Sequence, residues 1–525
     1  MGDQTVTSRN QEVPTGAGAP RTPHVVLVRP TLLDIDSRGK KMALTLARAG
    51  YRVTIACLSP DDDHHAHALG PVEVRLVPVS RLLVDGTRAG AKRRRHSRPP
   101  ILGLHSNTEY QATLMRARLR VDTAATTPTV SARVAKPLFQ AYVPMLMARR
   151  VAQSKLDGAW KRYRKAWTRR RLASRILVDE LSAYPEIGDW QLAFRPVLEE
   201  LEPDVIHAHD PKVLGAAWKA AVTLRSRGRD TRLVYDARED FAGIPPKQQP
   251  GGARGLQAVL NHEKRYARLA DAVLTVSEPI AGRLEERLGL DARPTVVLNV
   301  PVARPLSPTP ARDVRTDAKV GPDVPLLVYS GGVHHSRGVG LLVEALPKLP
   351  GVHLAIITVP FPHPMTPGLL ERAEELGVED RLTVLAPVPQ GELLDYLATA
   401  TVGVHPLEGG FPNHDAALPN KLFEYLHAGL PQVVSDAKEM AAFVRRHGLG
   451  DVFRTGDVED LVRAVSAVLE GRAGVLSPQQ RAALVEEFSW QRQETLVREV
   501  YGRVLGDRAA PAPADPGPFP PLDLA

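Results

Sequence analysis

The chain has 525 residues, which is more than one hydrophobic core usually organises, so two domains of moderate size are expected. Apolar residues make up 43% and charged residues 24%, which is typical of a globular protein and excludes a wholly disordered one. The single cysteine excludes an internal disulfide, and the lack of an apolar leader or of any apolar run near 18 residues predicts a cytoplasmic protein that neither is secreted nor spans a membrane.

The first half of the chain alternates short apolar runs with helical patterns. His24–Val28 predicts a strand, Ser37–Ala49 a helix that Gly50 ends, and Arg52–Leu58 the next strand. A helix is expected at 216–224, and further strands are expected at 204–207, 233–235, 270–276 and 295–298. This alternation predicts a parallel sheet that is covered by helices on both faces.

A strongly basic segment interrupts this half. The region 88–175 contains 22 lysines and arginines against three acidic residues, although the whole chain carries a net charge of +9. Its densest runs are Lys92–Arg95 and 161–171, the second interleaved with tryptophan and tyrosine. Two interpretations are open: an amphipathic segment on an anionic membrane surface, or a solvated and partly disordered insertion. Nucleic acid would be attracted by the same charge and is the least favoured partner.

A second series of strands and helices follows the Pro-rich segment 301–323, which predicts a linker between domains. Strands are expected at 325–329, 354–357, 382–385, 402–404 and 432–434, and helices at 340–346, 369–376, 390–398, 420–428, 440–446, 458–469 and 478–504. The predicted organisation is a disordered tail at 1–21, an N-terminal domain at 22–300 with the basic insertion at about 86–190, the linker, a C-terminal domain at 324–475, closing helices at 476–506 and a disordered tail at 507–525.

A Gly-Gly turn follows the first strand of the second series. Gly331 and Gly332 lead through Arg337 and Gly338 into a predicted helix. Glycines let backbone approach a phosphate closely, the N–H groups of a helix start face an anion, and arginine offers a fork for pyrophosphate. The pattern predicts an anion site, although a plain Gly-rich turn has the same sequence.

The block Leu418–Pro431 predicts a short helix with polar groups at its start. Asn420 is expected to cap the helix, and Gly429 followed by Pro431 ends it. Glu424 is expected near the first turn, where its two carboxylate oxygens match the paired hydroxyls of a ribose. Standing alone, such a glutamate would be interpreted as one that stabilises the helix dipole.

In order and spacing, seven such motifs resemble the retaining GT-B glycosyltransferases of family 4. They are Asp34–Arg38, His207–Asp210, Tyr235–Glu239, Val276–Glu278, Leu298–Pro301, Gly331–Gly332 with Arg337–Gly338, and Leu418–Glu424. The resemblance covers nearly the whole chain except the basic insertion and the tails. It implies an α/β protein of the GT-B fold, in which two Rossmann-like doubly wound domains face each other across a cleft.

The resemblance also implies roles for residues on the donor side. Glu424 would hold the ribose of a nucleotide sugar, and Arg337 would replace the phosphate-binding lysine that is usual in the family. Backbone at Gly331 and Gly332 would approach the phosphates. Pro419, Asn420 and Lys421 would lie beside the donor.

On the acceptor side, the resemblance assigns His209 to the family's histidine near the transferred sugar, which makes His209, Arg337 and Glu424 the expected catalytic residues. Asp36, Gly39, His207 and Asp236 are expected on the acceptor side of the cleft. A histidine there can bond a sugar hydroxyl and stabilise a cation-like transition state. The alternative is that His207 or His209 is a packed residue at the end of a strand.

The sequence departs from the family's pattern at two positions. Gly332 stands where a phosphate-binding arginine is common, and Ala416 stands where many members have a second glutamate eight residues before Glu424. Both changes remove side-chain contacts to the donor. Backbone amides, with Asn413 or Lys421, are the expected substitutes.

Metal binding is not expected at either candidate motif. Asp34 and Asp36 resemble the metal-binding pair of another glycosyltransferase fold but follow a strand directly at a helix start, and 61–67 is interpreted as a solvated loop rather than a divalent-metal site.

The expected function is transfer of a hexosyl group from a UDP- or GDP-sugar to a hydroxyl of a glycan or lipid-linked acceptor. Retention of configuration and no obligatory metal or cofactor are expected, in cell-envelope or polysaccharide synthesis. If the basic segment binds membrane, the protein would be peripheral on the inner face of the plasma membrane. Two alternatives stay open: a sugar-nucleotide epimerase of GT-B shape, and a membrane-associated scaffold with weak catalysis.

Overall fold

In a computed structural model of the protein, runs of mostly buried aliphatic residues form two β-sheets whose strands are mainly parallel. The structure describes residues 21–33, 36–61, 63–84, 142, 144–149, 151–152, 155, 183–246, 249, 251–511, 517–520 and 522. Contacts divide the chain into one unit that comprises the residues up to Ser80 and those from Ile187, and a second unit at Arg81–Glu186. Both sheets belong to the first unit.

The first sheet contains eight strands in the order β3-β4-β2-β1-β5-β6-β7-β8, all parallel to their neighbours except β3, which is antiparallel to β4. The strands are β1 (His24–Val28), β2 (Arg52–Leu58), β3 (His65–Leu69), β4 (Val72–Val77), β5 (Val205–His209), β6 (Arg232–Asp236), β7 (Ala272–Thr275) and β8 (Thr295–Val296). Its helices are Ser37–Arg48, Glu186–Leu201, Pro211–Ser226, Gly252–Ala267 and Glu278–Leu288.

The second sheet contains six parallel strands in the order β11-β10-β9-β12-β13-β14. The strands are β9 (Leu326–Gly331), β10 (His353–Thr358), β11 (Leu382–Leu385), β12 (Val402–His405), β13 (Gln432–Ser435) and β14 (Gly450–Phe453). The helices of this half and of the C-terminal segment are Val314–Asp317, Val339–Ala345, Thr366–Glu375, Leu393–Leu397, Pro412–Ala416, Asn420–Ala428, Lys438–His447, Val458–Leu469, Pro478–Glu487 and Trp490–Leu505.

The strand order places a switch point in each sheet. In the first sheet, successive crossovers leave β1 in opposite directions, toward β2 and toward β5, and β9 lies in the same way between β10 and β12. Ligands of such open sheets bind beyond the carboxyl ends of the strands at the switch point. The expected site residues His209 and Gly331 stand at these two ends.

Trp490–Leu505, called the closing helix below, returns from the C-terminal half to pack on the N-terminal half. Trp490 is fully buried, and its ring N–H donates to Thr45 Oγ1 over 2.9 Å. Its backbone N–H donates to the carbonyl of Pro301 over 2.8 Å. One hydrophobic core therefore contains residues of both halves, such as Leu27, Phe423 and Tyr501.

Most predicted elements are confirmed to within a few residues, but several predictions are wrong. Residues 65–67 are not loop: they belong to β3, which pairs with β4 along the edge of the sheet and buries Leu69 alone. The pattern at 478–504 is broken into two helices, because Ser489 caps the second one by accepting from the backbone N–H of Arg492. The segment 301–323 contains the short helix Val314–Asp317.

Part of the C-terminal tail is ordered, contrary to the prediction. Arg508 donates to Asp230 over 2.8 Å, and Arg48 lies over the ring of Phe519. These contacts hold described residues of 507–525 on the first unit. The predicted tail at 1–21 lies outside the described residues except for Arg21, and the domain boundaries stay predictions.

The unit at 81–186 coincides closely with the predicted basic insertion. Its described part is helical at 144–149, where Leu146 is buried and Met145 and Met147 are exposed. The two dense basic runs lie outside the described residues. Within the described ranges, no helix has the length and apolarity that a membrane crossing requires.

Candidate active site

The Gly-Gly turn after β9 surrounds the ammonium group of Lys421. Gly331 has φ +130°, and a Cβ on it would lie 2.6 Å from Lys421 Nζ. Tyr329 stabilises the turn, because its hydroxyl donates to the carbonyl of Gly332 over 2.7 Å. Gly338 has φ +66°, and a Cβ on it would overlap the carbonyl of Pro406. Gly338 is therefore required here by space as well as by backbone conformation, and Gly331 by its positive φ.

Two cations at this turn have no anionic partner. Neither the guanidinium of Arg337 nor the ammonium of Lys421 forms a hydrogen bond or an ion pair with another described residue, although Lys421 lies 5.5 Å from the centre of the Tyr329 ring. Burial and then the charge of Arg337 lower the pKa of Lys421 to about 8, while Glu424 acts in the opposite direction. Two repelling cations beside a glycine turn form a site that favours an anion.

The Asn420–Ala428 helix supplies Lys421 and Glu424 together, one turn apart on the same side. Its start differs from the prediction: Pro419 is the N-cap, Asn420 is the first helical residue, and no side chain caps the helix. Glu424 is the fifth helical residue and so lies beyond the first turn. Gly429, at φ +81°, ends the helix as predicted. The free N–H groups of the helix start are thus left for another acceptor.

Lys41 of the N-terminal half faces Glu424. Its ammonium donates to Asn299 Oδ1 over 2.9 Å and lies 4.7 Å from the centre of the Trp490 ring. Burial and then the charge of Arg38 lower the pKa of Lys41 to about 7, and Glu424 opposes this. Burial raises the pKa of Glu424, against the charges of Lys421 and Lys41. Glu424 therefore lies near cations from both halves of the chain.

His405, at the end of β12, is a fully buried histidine near these groups. Its ring stacks on Tyr329 with centroids 6.0 Å apart, and neither ring nitrogen has a partner in the described part of the chain. Burial, followed by the charges of Lys421 and Arg337, keeps the pKa of His405 well below its usual value. The ring is therefore neutral.

The ends of β5 and β6 carry a buried network of polar side chains. Its charged groups are paired, unlike the cations at the Gly-Gly turn. Asp236 accepts from Arg38 Nε over 2.8 Å and from Arg38 Nη2 over 2.9 Å, and its Oδ2 lies 3.0 Å from His209 Nδ1. Burial alone would raise the pKa of Asp236, but Arg38 and His209 hold it well below its usual value. His207 stacks on His209 with centroids 4.3 Å apart. These four side chains are essentially inaccessible to solvent.

Asp36 and Gly39 form the start of the first helix. Asp36 is the N-cap and accepts from the backbone N–H of Gly39 over 3.1 Å. It also pairs with Arg29, and a Cβ on Gly39 would overlap the Arg29 guanidinium. Asp34 lies outside the described residues. Asp36, like His207 and Asp236, is thus a buried member of the site's framework.

Two acidic residues follow the strands that carry this network, Asp210 directly after β5 and Glu239 shortly after β6. Glu239 is exposed at the surface although protein surrounds much of it, and this enclosure and then the charge of Asp210 raise its pKa. Asp210 has φ +99° and caps the next helix by accepting from the N–H of Lys212 over 2.9 Å. A non-glycine residue in this conformation is strained, and such strain clusters at functional sites.

The Pro412–Ala416 helix joins the two halves. Ser277 Oγ donates to the carbonyl of Ala416 over 2.7 Å, and Arg283 donates to the carbonyl of Pro412 over 2.6 Å. Asn413 Oδ1 accepts from the backbone N–H of Asp240 over 3.3 Å. Ala416, which replaces the family's first glutamate, is buried in the core of the first sheet. Of the two expected substitutes, Asn413 is engaged in this junction and Lys421 lies at the Gly-Gly turn.

Several groups at the site were not predicted from the sequence. Lys41, His405 and Tyr501 belong to no recognised motif. The helix Ser37–Arg48 contains Lys41, β12 contains His405 and the closing helix contains Tyr501. Arg38 and Glu239 stand within motifs, so a search for charged residues beside the predicted strand ends would have found them.

In the part of the chain that the structure describes, two clusters have the composition of a metal site. One is the network of His207, His209 and Asp236, in which Arg38 already neutralises the carboxylate. The other is Asp61, Asp63 and His65 at the surface, where Asp61 Oδ2 lies 3.0 Å from His65 Nε2. Hydrogen bonds within each cluster account for its geometry.

Two family models match separate parts of the chain. The one described as "Glycosyl transferase 4-like domain" matches residues 180–301, and the one described as "Glycosyl transferases group 1" matches residues 324–471. Together they cover about half of the chain, and each contains one of the two strand ends described above.

Curated relatives and solved structures agree with these matches. A D-inositol 3-phosphate glycosyltransferase of Mycolicibacterium smegmatis is 25% identical over 59% of this chain and 70% of its own length. The relative of that name from Mycobacterium marinum is 23% identical over 39% of this chain, and the match spans 43% of its length.

Two solved structures show the fold. Sucrose-phosphate synthase from Thermosynechococcus elongatus has a TM-score of 0.60 at 14% identity and covers 93% of this chain and 100% of its own. Alr3699/HepE from Anabaena, in complex with UDP and glucose, has a TM-score of 0.53 at 14% identity and covers 91% of this chain and 98% of its own.

Proposed function

The chain belongs to the family 4 glycosyltransferases with the GT-B fold, and from this premise we propose that it transfers a hexosyl group from a nucleoside diphosphate sugar to a hydroxyl group. The donor is a UDP- or GDP-sugar. The acceptor is a glycan or a lipid-linked sugar of the cell envelope or of a polysaccharide. No metal or cofactor is obligatory.

The observation that carries this proposal is the pair of unpartnered cations at the Gly-Gly turn. Lys421 Nζ lies against Gly331, and Arg337 is close enough to lower the pKa of Lys421, so two positive charges are available to a phosphate at this turn. Glu424 follows Lys421 by one helical turn and offers two acceptor oxygens to the hydroxyls of a ribose. A diphosphate beside a ribose matches this order of groups, and UDP is the ligand named for the Anabaena structure.

The same groups supply the electrostatics of transfer. The bond between the anomeric carbon and the phosphate oxygen breaks, the acceptor oxygen forms the new bond to that carbon, and the proton of the acceptor hydroxyl passes to an oxygen of the departing diphosphate. Negative charge grows on the departing diphosphate, where Arg337, Lys421 and the uncapped helix start stabilise it. By resemblance to the family, the proposed place of the transferred sugar is on the side of the sheet end that carries His209, and the proposed product retains the configuration of the donor.

The basic segment at 88–175 supports a membrane-side acceptor. Its excess of lysine and arginine suits an anionic lipid surface. The location proposed from this is peripheral, on the inner face of the plasma membrane. Flotation with liposomes of phosphatidylcholine and phosphatidylglycerol tests this, with neutral liposomes as the control. Equal binding by the intact chain and by one lacking 88–175 would contradict it.

The function is tested by donor binding followed by turnover. A thermal-shift panel of UDP- and GDP-sugars identifies the donor, since a ligand of the native state raises the midpoint. The identified donor is then incubated with candidate acceptors, including D-inositol 3-phosphate because of the curated relatives. Mass spectrometry is expected to show an acceptor heavier by one hexose with release of nucleoside diphosphate, and NMR coupling constants to show retention.

Each alternative has its own outcome. A donor converted to an isomer without release of nucleoside diphosphate would indicate an epimerase. Saturable donor binding without turnover on any acceptor would indicate a scaffold. Unchanged rates in excess EDTA are expected, and loss of activity restored by Mg²⁺ or Mn²⁺ would contradict a metal-independent reaction.

A further inference from the structure

Glu239 is an exposed carboxylate on the segment that follows β6. It forms no hydrogen bond or ion pair with another described residue. Its two neighbours are engaged: Arg238 Nη1 lies 3.4 Å from Asp36 Oδ1, and the carboxylate of Asp240 accepts from the backbone N–H of Ala242 over 3.2 Å. Of these three consecutive charged side chains, Glu239 is therefore the one that is left for a ligand.

The segment is anchored on both sides of Glu239. Before it, the backbone N–H of Ala237 donates to a carbonyl of β7 over 2.8 Å. After it, the backbone N–H of Asp240 donates to Asn413 Oδ1 over 3.3 Å, and a Cβ on Gly243 would lie 2.8 Å from the backbone nitrogen of Asn413. Glu239 thus stands on a fixed segment between the first sheet and a helix of the C-terminal half.

Charges from both halves act on this carboxylate. Enclosure by protein and then the charge of Asp210 raise the pKa of Glu239, and three cations oppose this: Arg238, Arg337 and Lys212. Arg337 belongs to the Gly-Gly turn, so unpaired charges of opposite sign from the two halves lie within electrostatic range of each other. No ion pair joins them in the part of the chain that the structure describes. An enclosed carboxylate without a partner is unfavourable in the free protein, and such groups cluster at functional sites.

The chemistry of Glu239 restricts what it can bind. An ionised carboxylate only accepts hydrogen bonds, so the group against it must be a donor such as a hydroxyl. A phosphate would be repelled, because no cation is paired with Glu239. Asp210 is engaged instead, since it caps a helix and lies 3.9 Å from Lys212. The diphosphate of the donor is assigned to the Gly-Gly turn, which leaves Glu239 for the acceptor.

Resting on the proposed function, we propose that Glu239 binds the acceptor: its carboxylate accepts hydrogen bonds from hydroxyl groups of a neutral sugar or polyol and so orients the acceptor for transfer. The reacting hydroxyl gives its proton to the departing diphosphate, so Glu239 binds neighbouring hydroxyls and takes no proton. An acceptor such as the D-inositol 3-phosphate named for the curated relatives would keep its phosphate away from Glu239.

Binding of neutral polyols tests this without turnover. The probes are myo-inositol and the methyl glycosides of glucose, galactose and mannose, measured by saturation-transfer NMR in the presence of UDP, or of GDP where the thermal-shift panel selects it. We expect the wild type to bind at least one probe and Glu239→Gln to bind it roughly tenfold more weakly, because a hydrogen bond to a charged group is lost. A wild type that binds none of the probes, or equal binding by the variant, would overturn the inference.

A matched control separates the contact from the change in net charge. Glu286→Gln removes the same charge from an exposed position of the Glu278–Leu288 helix and should bind the probe as the wild type does. Equal weakening in both variants would contradict a role specific to Glu239.

The donor provides a second control. By calorimetry, Glu239→Gln should bind UDP and UDP-glucose, or the GDP pair, as the wild type does or up to about threefold more tightly, because a negative charge near the diphosphate is removed. Weaker binding of the nucleotide sugar with unchanged binding of the diphosphate would assign Glu239 to the donor sugar and overturn the proposal.

Turnover separates a failure of this inference from a failure of the proposed function. On an acceptor identified by mass spectrometry, Glu239→Gln should raise the acceptor KM about tenfold with a smaller change in kcat, because binding is lost in the ground state and the transition state alike. Transfer by this variant with wild-type KM would remove Glu239 from the acceptor site and leave the proposed function intact. A chain that binds polyols through Glu239 and transfers nothing would instead place the failure in the proposed function.

Discussion

The two strand ends at the switch points of the sheets are built in opposite ways. At β5 and β6, Asp236 is satisfied by Arg38 and His209, and the whole network is buried. At β9 and the Asn420–Ala428 helix, Arg337 and Lys421 have no anionic partner among the described residues. In the first region the carboxylate is neutralised by a neighbouring arginine, and in the second the cations are left for a ligand.

This difference separates two kinds of contribution to one reaction. A satisfied buried network fixes the geometry of a side chain such as His209, and its loss should affect folding first. Unpaired cations are unfavourable in the free protein and become favourable when an anion binds. Substitutions in the two regions should therefore divide between stability and donor affinity.

The largest effect is expected from Asp236→Asn in the satisfied region. The change leaves the Arg38 guanidinium buried without a counter-charge, which costs about 3–5 kcal/mol of unfolding free energy. Urea denaturation followed by circular dichroism measures the loss. Glu486→Gln, which breaks an exposed ion pair with Arg492, is the control and should change stability by about 0.5 kcal/mol or less. Equal effects of the two variants would contradict the comparison.

A loss of donor affinity is expected from Arg337→Ala in the unpaired region. Removing a charged donor to phosphate costs about 2 kcal/mol, or roughly thirtyfold in Kd by calorimetry. Arg337→Lys should recover part of this, because it keeps the charge and loses the fork. Arg472→Ala, at an exposed position paired with Glu470, controls for net charge and should bind the donor as the wild type does. Unchanged affinity in Arg337→Ala would show that the phosphates bind elsewhere.

Donor affinity should fall as pH rises through about 8, the pKa of Lys421. The protonated ammonium binds the anion, so its contribution is present below this pH and decreases above it, by up to about tenfold in Kd per pH unit. Calorimetry from pH 7 to 9.5 measures this. Lys421→Arg stays charged and should flatten the profile above pH 8. A change of donor affinity that remains near pH 7 in this variant would be due to Lys41, because Lys41 has a pKa of about 7 and also faces Glu424.

The smallest effect is expected for the free energy of unfolding of Lys421→Met. Its sign is opposite to that of the loss expected in Asp236→Asn. An unpaired, partly buried ammonium is unfavourable without ligand, so its removal should leave unfolding free energy unchanged or raise it by up to about 1 kcal/mol. Donor affinity should fall in the same variant. Urea denaturation without donor measures the first quantity. A loss of more than about 1 kcal/mol would mean that Lys421 serves the fold.

Local sequence patterns determined most of the fold. Runs such as Leu326–Tyr329 and His353–Thr358 form buried strands because their apolar residues are contiguous, and glycines such as Gly429 end helices wherever positive φ is needed. The edge strand β3 was missed because its side chains are mostly exposed and its pairing with β4 comes from backbone hydrogen bonds. Periodicity reports burial, so an exposed edge strand leaves little signal.

The sequence by itself also selected the Gly-Gly turn, Arg337, His209 and Glu424 as candidate site residues, through the Gly-rich turn, the helix that follows Pro419 and the resemblance to a known family. Only the tertiary structure decided which groups share a site with them. Lys41 comes near Glu424, and Tyr501 meets His207, through the packing of elements that are hundreds of residues apart in the chain. Contacts of that range leave no pattern in the sequence, because they depend on how whole elements pack and not on the residues beside them.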